Sequence, residues 1–196
     1  MRYYIILFFV FTITSSCSKA QSKTKLNTTE IDQKLDLVKK GKVIDYNSWL
    51  VTNKKDTISF KEFQNKWVLI DFWSTGCVPC IKEFPLIQKF YEAYKNDIQV
   101  IAVSVDNSFK RYMKGYRKYD LSIPNFYGGY SYSNPIFNLN IQKFRSNDQS
   151  NSVRYRTSVP QYVLIDPKGT IVDKNFPKPS SQEFMKLINK YVLSKK

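Results

Sequence analysis

Apolar and polar positions along the chain fall into short runs of two kinds. Trp67 to Trp73 is almost continuously apolar, as is Ile98 to Val105, and runs of this kind predict strands buried on both faces of a parallel sheet. Between them Phe84, Ile87, Tyr91 and Tyr94 recur at helical spacing, which predicts a helix from Val78 to Tyr94 with Pro85 kinking it. Val43 to Val51 reads as a first strand, and Asn53 to Asp56 as a turn into Thr57 to Phe60. Phe109 to Tyr119 predicts a helix and Ile123 to Phe126 a short strand. Gln161 to Ile165 and Thr170 to Asp173 form a hairpin across Asp166-Pro167-Lys168-Gly169, with Pro second and Gly fourth as a type I turn prefers. Ser180-Ser181-Gln182-Glu183 is a capping-box pattern that opens a last helix through about Leu193. Strands alternating with helices and closing on a hairpin plus helix predict a three-layer α/β domain. Tyr127 to Arg156 fits neither period: its Gly-, Ser- and Asn-rich stretches, bracketed by Arg145, Arg154 and Arg156, read as a long functional or mobile loop.

The N-terminus follows a different pattern. Met1-Arg2 supplies positive charge and Tyr3 to Ile13 an apolar core too short for a transmembrane helix, which is the form of a signal peptide. Thr14-Ser15-Ser16-Cys17 is similar to the lipobox of bacterial lipoproteins, with Thr14 where Leu is usual. Residues 1–16 are therefore expected to be a lipoprotein signal peptide, Cys17 the lipidated residue, and 17–41 a lysine-rich tether with a weak helix from Leu26 to Val38. Residues 42–196 are left for the folded domain. This places the domain outside the cytoplasm, on the periplasmic face of the cell envelope.

Composition changes this picture in two ways. A formal charge of +15 invites a nucleic-acid reading, but the lysines are scattered and no nucleic-acid motif is present, so the charge is assigned to a solvated surface. Histidine is absent, which excludes Ser-His-Asp and Cys-His catalysis and any His-ligated metal. Three cysteines cannot make a four-cysteine zinc site either, so no metal is expected.

The chemistry that remains is thiol chemistry. Cys77-Val78-Pro79-Cys80 follows the Trp67–Trp73 strand across a short loop, where a helix should begin. At a helix N-terminus the first N–H groups lack partners and the dipole end is positive, so a Cys77 thiolate is stabilised there. Cys80, one turn on, is close enough to close a disulfide with it. Pro79 is compatible with the first turn, where a missing N–H costs nothing. A structural disulfide or a redox-dead motif is the alternative. Asp71 is an isolated carboxylate in an apolar strand, so its pKa should rise.

Four features in order resemble the thioredoxin superfamily, in its membrane-anchored TlpA/ResA-like branch. They are Asp71-Phe72-Trp73 ahead of Cys77-Val78-Pro79-Cys80, Cys80-Ile81-Lys82-Glu83-Phe84-Pro85, Ser158-Val159-Pro160 before the strand at Gln161, and Lys61 to Trp67 leading into the central strand. The likeness covers about Val43 to Leu193. It implies a thioredoxin-like fold, a central mixed sheet flanked by helices. Gly76 departs from the pattern, standing where Trp commonly precedes the first cysteine, and Asn65 stands where Gly is usual.

The resemblance implies roles. Cys77 would attack and Cys80 resolve, with Asp71 and Glu83 as proton acceptors. Pro160 would be cis, with the Val159 backbone pairing with an extended client, and Gly76, Val78 and Pro79 would complete the substrate surface; Trp73 is counted with it as packing beneath the site, a plain core aromatic being the alternative. No cofactor beyond the Cys77–Cys80 disulfide is implied. The implied partners are disulfide-bearing extracytoplasmic clients, a membrane thiol donor and the membrane itself, with no nucleic acid. The function expected is reduction of client disulfides, cytochrome c maturation being one role the branch suggests. A redox-inactive surface lipoprotein and a thiol peroxidase are the alternatives. The peroxidase pattern Pro-x-x-x-Thr-x-x-Cys fits poorly, because Ile70 and Ser74 occupy its positions.

Overall fold

The computed structural model of the protein describes residues 27–147 and 152–195. The expected signal peptide, the lipidation site Cys17 and the first part of the tether lie outside the described residues. Within 17–41, Thr28–Asp36 forms helix α1, opened by a reciprocal capping box between Asn27 and Glu30. Its Ile31 and Leu35, with Val38 beyond it, are buried in the core, so this part of the stretch is packed structure.

Strands β1 (Trp49–Val51), β2 (Thr57–Ser59), β3 (Trp67–Trp73), β4 (Ile98–Ser104) and β5 (Asn125–Tyr127) belong to one seven-stranded sheet, together with two strands late in the chain. These are β8 (Gln161–Ile165) and β9 (Ile171–Phe176). Their order is β2-β1-β5-β4-β3-β8-β9. The sheet is mixed: β4 runs parallel to β3 and β5, whereas β8 is antiparallel to β3 and β9. Of the strand expected from Val43, only its end forms β1, and Val43 makes a lone bridge to Thr170.

The long segment after β5 is not irregular throughout. It contains the short helix α4 (Pro135–Leu139) and a separate hairpin, β6 (Ile141–Arg145) with β7 (Val153–Thr157). The hairpin is tied to α1, since Tyr155 donates its hydroxyl to Asp32 at 3.0 Å and Lys143 pairs with the same carboxylate at 2.6 Å.

Successive residues of a strand face opposite ways, and β3 uses both faces. Val68, Ile70 and Phe72 pack with α1, α4 and Phe60 on one side. Leu69 and Trp73 pack on the other, beneath α2 (Val78–Tyr94), α3 (Phe109–Tyr119) and α5 (Gln182–Tyr191). Asp71 shares their face by alternation. Helix α2 runs through Pro85 without ending, its buried stripe being Cys80, Glu83, Phe84, Ile87 and Phe90.

Candidate functional site: a disulfide and two buried carboxylates

Chain leaving β3 turns at Ser74, whose carbonyl accepts from the Cys77 N–H at 3.0 Å, and enters α2 with Cys77 as N-cap. Cys77 and Cys80 are joined as a disulfide, with 5.3 Å between their Cα atoms. The Cys77 sulfur also accepts from the Cys80 N–H at 3.2 Å, one of the donors left over at the helix start. The two sulfurs differ in access. Cys77 retains 8% exposure and Cys80 none, so only Cys77 can be reached from outside. Val78, Pro79 and Gly76 around it are exposed.

Two buried carboxylates belong to the elements around the disulfide, Asp71 on β3 and Glu83 one turn beyond Cys80 on α2. Asp71 is fully buried, and both of its oxygens lack hydrogen-bond partners. Its pKa is pushed up to about 8, chiefly by burial, with the nearby Glu83 charge adding to the rise. Tyr162 stands directly opposite Asp71 across the β3–β8 ladder. Its hydroxyl is close enough to act against the rise but makes no hydrogen bond of ordinary geometry with it. The Tyr162 phenol is itself driven far up, first by burial and then by the two carboxylates.

Glu83 is buried on α2 and is held from a distant part of the chain. Ser180 donates its N–H at 2.9 Å and its hydroxyl at 2.7 Å to the carboxylate, and the Lys178 ammonium lies 3.5 Å away. Ser180 was expected as part of a capping box; the cap of α5 is instead Ser181, which accepts from the Glu183 N–H. The offset of one residue frees Ser180 for Glu83.

Two further groups brace the site, neither of which the sequence singled out. Asp106, buried after β4, accepts from the Thr75 N–H and hydroxyl, from Ser104 at 2.8 Å and from Arg111 Nε at 3.0 Å. It fixes the loop that delivers Cys77. Asn140 and Gln161 hold the segment around Pro160. Asn140 receives the Ser158 N–H and donates to the Ser158 carbonyl and to Gln161, while Gln161 donates to the Leu139 and Lys174 carbonyls. The Val159–Pro160 bond is cis. Val159 is half-buried and packs against the cluster that contains both cysteines. Any signal for these groups was weak: polar residues at strand ends, whose partners are remote in sequence.

Trp73 lies beneath the site and not on its surface. It is fully buried, edge-on to Phe84 and Tyr119, and donates its indole N–H to Asn125 at 3.2 Å. A client cannot touch it, so it serves as a wall of the core under the site. Among the described residues no cluster of acids and cysteines could hold a metal.

The fold has counterparts among known proteins. The thiol-disulfide oxidoreductase ResA of Halalkalibacterium halodurans is 29% identical over 137 residues, 68% of this chain and 68% of that protein. The thioredoxin-like protein YneN of Bacillus subtilis is 31% identical over 127 residues, 63% of this chain and 64% of that one. With ResA of Bacillus thuringiensis subsp. konkukian the identity is 35% over 68 residues, so there the chain spans only 39% of the relative's length. A crystal structure from Bacteroides vulgatus, of a protein described as a thiol-disulfide oxidoreductase, superposes with a TM-score of 0.60 at 23% identity. It covers 79% of this chain and 97% of that one, and it speaks to the fold alone. The sequence model of the AhpC/TSA family matches residues 42–174, most of the described domain, and the chain accordingly belongs to the AhpC/TSA family.

Proposed function

We propose that the protein is an extracytoplasmic thiol–disulfide oxidoreductase that reduces disulfides in client proteins through Cys77 and Cys80. One observation carries the reading: a disulfide at the start of α2 has one accessible and one sealed sulfur, and the strand that leads to it carries a buried carboxylate. The names of the ResA relatives support the same chemistry.

In the dithiol form, the Cys77 thiolate attacks a client sulfur, a mixed disulfide forms, and the other client sulfur leaves as a thiolate. Cys80 then loses its proton and attacks the Cys77 sulfur. The second client thiolate leaves, and the Cys77–Cys80 disulfide closes. Two electrons pass to the client, and a membrane dithiol donor restores the protein. Asp71 and Glu83 are the acceptors for the Cys80 proton. Tyr162 faces Asp71, and the Val159–Pro160 segment pairs with the extended client. Gly76, Val78 and Pro79 form the open surface around Cys77. Lipidation at Cys17 would hold this domain at the membrane on the periplasmic side. Among the described residues no helix is long and apolar enough to cross a membrane. Apocytochrome c is one client that the family resemblance suggests.

The Val-Pro interior, without histidine, favours a reductant. The expected potential is nearer about −270 mV than about −120 mV. Equilibration with a dithiothreitol couple measures it, and a value at the oxidising end overturns the direction. A pair that does not cycle overturns the oxidoreductase class. A Cys80→Ser variant is expected to trap clients through Cys77 as mixed disulfides; if it captures none, the surface-lipoprotein reading replaces this one.

A further inference from the structure

A groove of about 930 Å³ runs along α3 and opens beside Thr75 and Gly76, the two residues before Cys77. Its rim carries Lys110, Arg111, Lys114, Arg117 and Lys118, every one of them exposed. Helix α3 contains no acidic residue. Among the described residues only Arg111 of these five has a carboxylate partner, Asp106 at 3.0 Å, while Lys118 lies over the Tyr119 ring. Elsewhere lysines stand next to acids, as in Lys39–Asp36, Lys95–Glu92 and Lys186–Glu183.

Arg117 and Lys118 in the last turn suit the helix dipole, but the rest of the arrangement on α3 is costly to the helix. Lys110, Lys114 and Lys118 are spaced four apart and Lys114 and Arg117 three apart, so like charges face one another. Lys110 and Arg111 in the first turn oppose the helix dipole as well. The half-buried Met113 and Tyr119 give the groove an apolar floor between the charges. Gly76 forms the end nearest the disulfide, with the Arg111 guanidinium beside it: a Cβ there would lie 3.0 Å from Arg111 Nη2.

We propose that this groove receives an acidic, extended segment of the client, adjacent in the client chain to the disulfide being reduced. The inference rests on the thiol–disulfide reading above and supplies its substrate class. Carboxylates on the segment would pair with the unpartnered lysines and with the Arg117 fork, which suits a carboxylate. An 11-residue helix is about 16 Å long, enough to run beside about five residues of extended chain. A groove that leads to Cys77 favours a peptide over a lipid surface, because the segment's own sulfur must arrive there.

The test uses protein reduced beforehand and freed of reductant, in single turnover against peptides that share one disulfide and differ in flank: Asp/Glu, Ser/Gln or Lys. The acidic peptide is expected to react about tenfold faster than the neutral one at low salt, and the advantage should vanish at high salt. In a Lys114→Glu/Arg117→Glu variant the acidic-to-neutral ratio should fall to about one or below; Lys114→Gln/Arg117→Gln serves if the reversal does not fold. A ratio near one in the unmodified protein, or a ratio the variants do not change, overturns the proposal. So does a ratio near one combined with variant-sensitive binding to phosphatidylglycerol vesicles, which would assign the groove to the membrane. Failure to reduce even hydroxyethyl disulfide overturns the oxidoreductase reading instead. Fluorescence anisotropy with the acidic peptide in serine form then still decides the groove: no binding at low salt overturns it.

Discussion

Ser180 and Glu83 are 97 residues apart in sequence, yet Ser180 gives both its N–H and its hydroxyl to the Glu83 carboxylate. The contact fastens the loop before α5 to the helix that carries both cysteines. Removing the hydroxyl in Ser180→Ala is expected to cost about 1.5–3 kcal/mol, the range for a hydrogen bond to a charged group. Urea denaturation of the oxidised protein measures it, and an unchanged midpoint would mean that the hydroxyl contributes nothing to the fold.

Asp71 should make stability depend on pH. Its carboxyl has a folded value of about 8 against an ordinary value of 3.8, so the folded state holds a proton that the unfolded chain has released. Its contribution is therefore fully present below pH 3.8 and is lost progressively as pH rises toward 8. The loss at pH 8 and above is on the order of 5 kcal/mol. Asp71→Asn is expected to be more stable than the parent at pH 8 and to show a flatter decline between pH 4 and 8. Thermal denaturation across that range checks it; parallel curves would contradict it.

The same group should govern the second chemical step. Resolution of a preformed Cys77 mixed disulfide by Cys80 is expected to speed up as pH rises through about 8, where Asp71 becomes able to take a proton. In Asp71→Asn the step should slow by about 10²-fold at neutral pH, and its inflection should move to that of the thiol. Stopped-flow release of a chromophoric thiol reads this rate.

Gly115 lies where α3 touches the site. A Cβ there would come within 2.5 Å of Thr75 Oγ1 and 2.9 Å of the Trp73 ring. Alanine is the better helix former by about 1 kcal/mol, but the clash is with a buried indole that cannot move aside. Gly115→Ala is therefore expected to lower the melting temperature of the oxidised protein, with a net cost of about 1–2 kcal/mol. A rise in melting temperature would show that α3 shifts freely.

Asp106 should matter more than its distance from the sulfurs suggests. Asp106→Asn loses the charge that faces Arg111 and weakens the acceptors for Thr75 and Ser104. Because Asp106 is buried, a cost of about 2–3 kcal/mol is expected. Trypsin cleavage at Arg111 in the oxidised variant should become faster than in the parent, a readout that follows release of this residue from its partner.

The central elements were legible because burial on both faces leaves an unmistakable pattern. Trp67–Trp73, Val78–Tyr94 and Phe109–Tyr119 form over the residues their periodicity predicts. Asp71 stood out for the same reason, as one acid in an apolar run. The supports of the site were hidden, because Ser180, Asp106 and Asn140 act through partners distant in sequence. The β6–β7 hairpin was hidden differently: the Ser- and Asn-rich stretch that Arg145 and Arg154 bracket reads as loop and masks the short alternation of charged and apolar residues on either side of it. Trp73 was legible as an aromatic beneath the site, because it closes the same apolar run.

Asn140 and Ser158, joined through both backbone and side chain, close the base of everything between them. The chain from 141 to 157 leaves and returns at one hydrogen-bonded point, just ahead of the cis-proline. Its length is therefore uncoupled from the position of Pro160, and the entropy of closing such an excursion grows only slowly as residues are added. Insertions and deletions among relatives should accumulate here while the geometry around the sulfurs stays the same, making the hairpin the part of this domain most open to change.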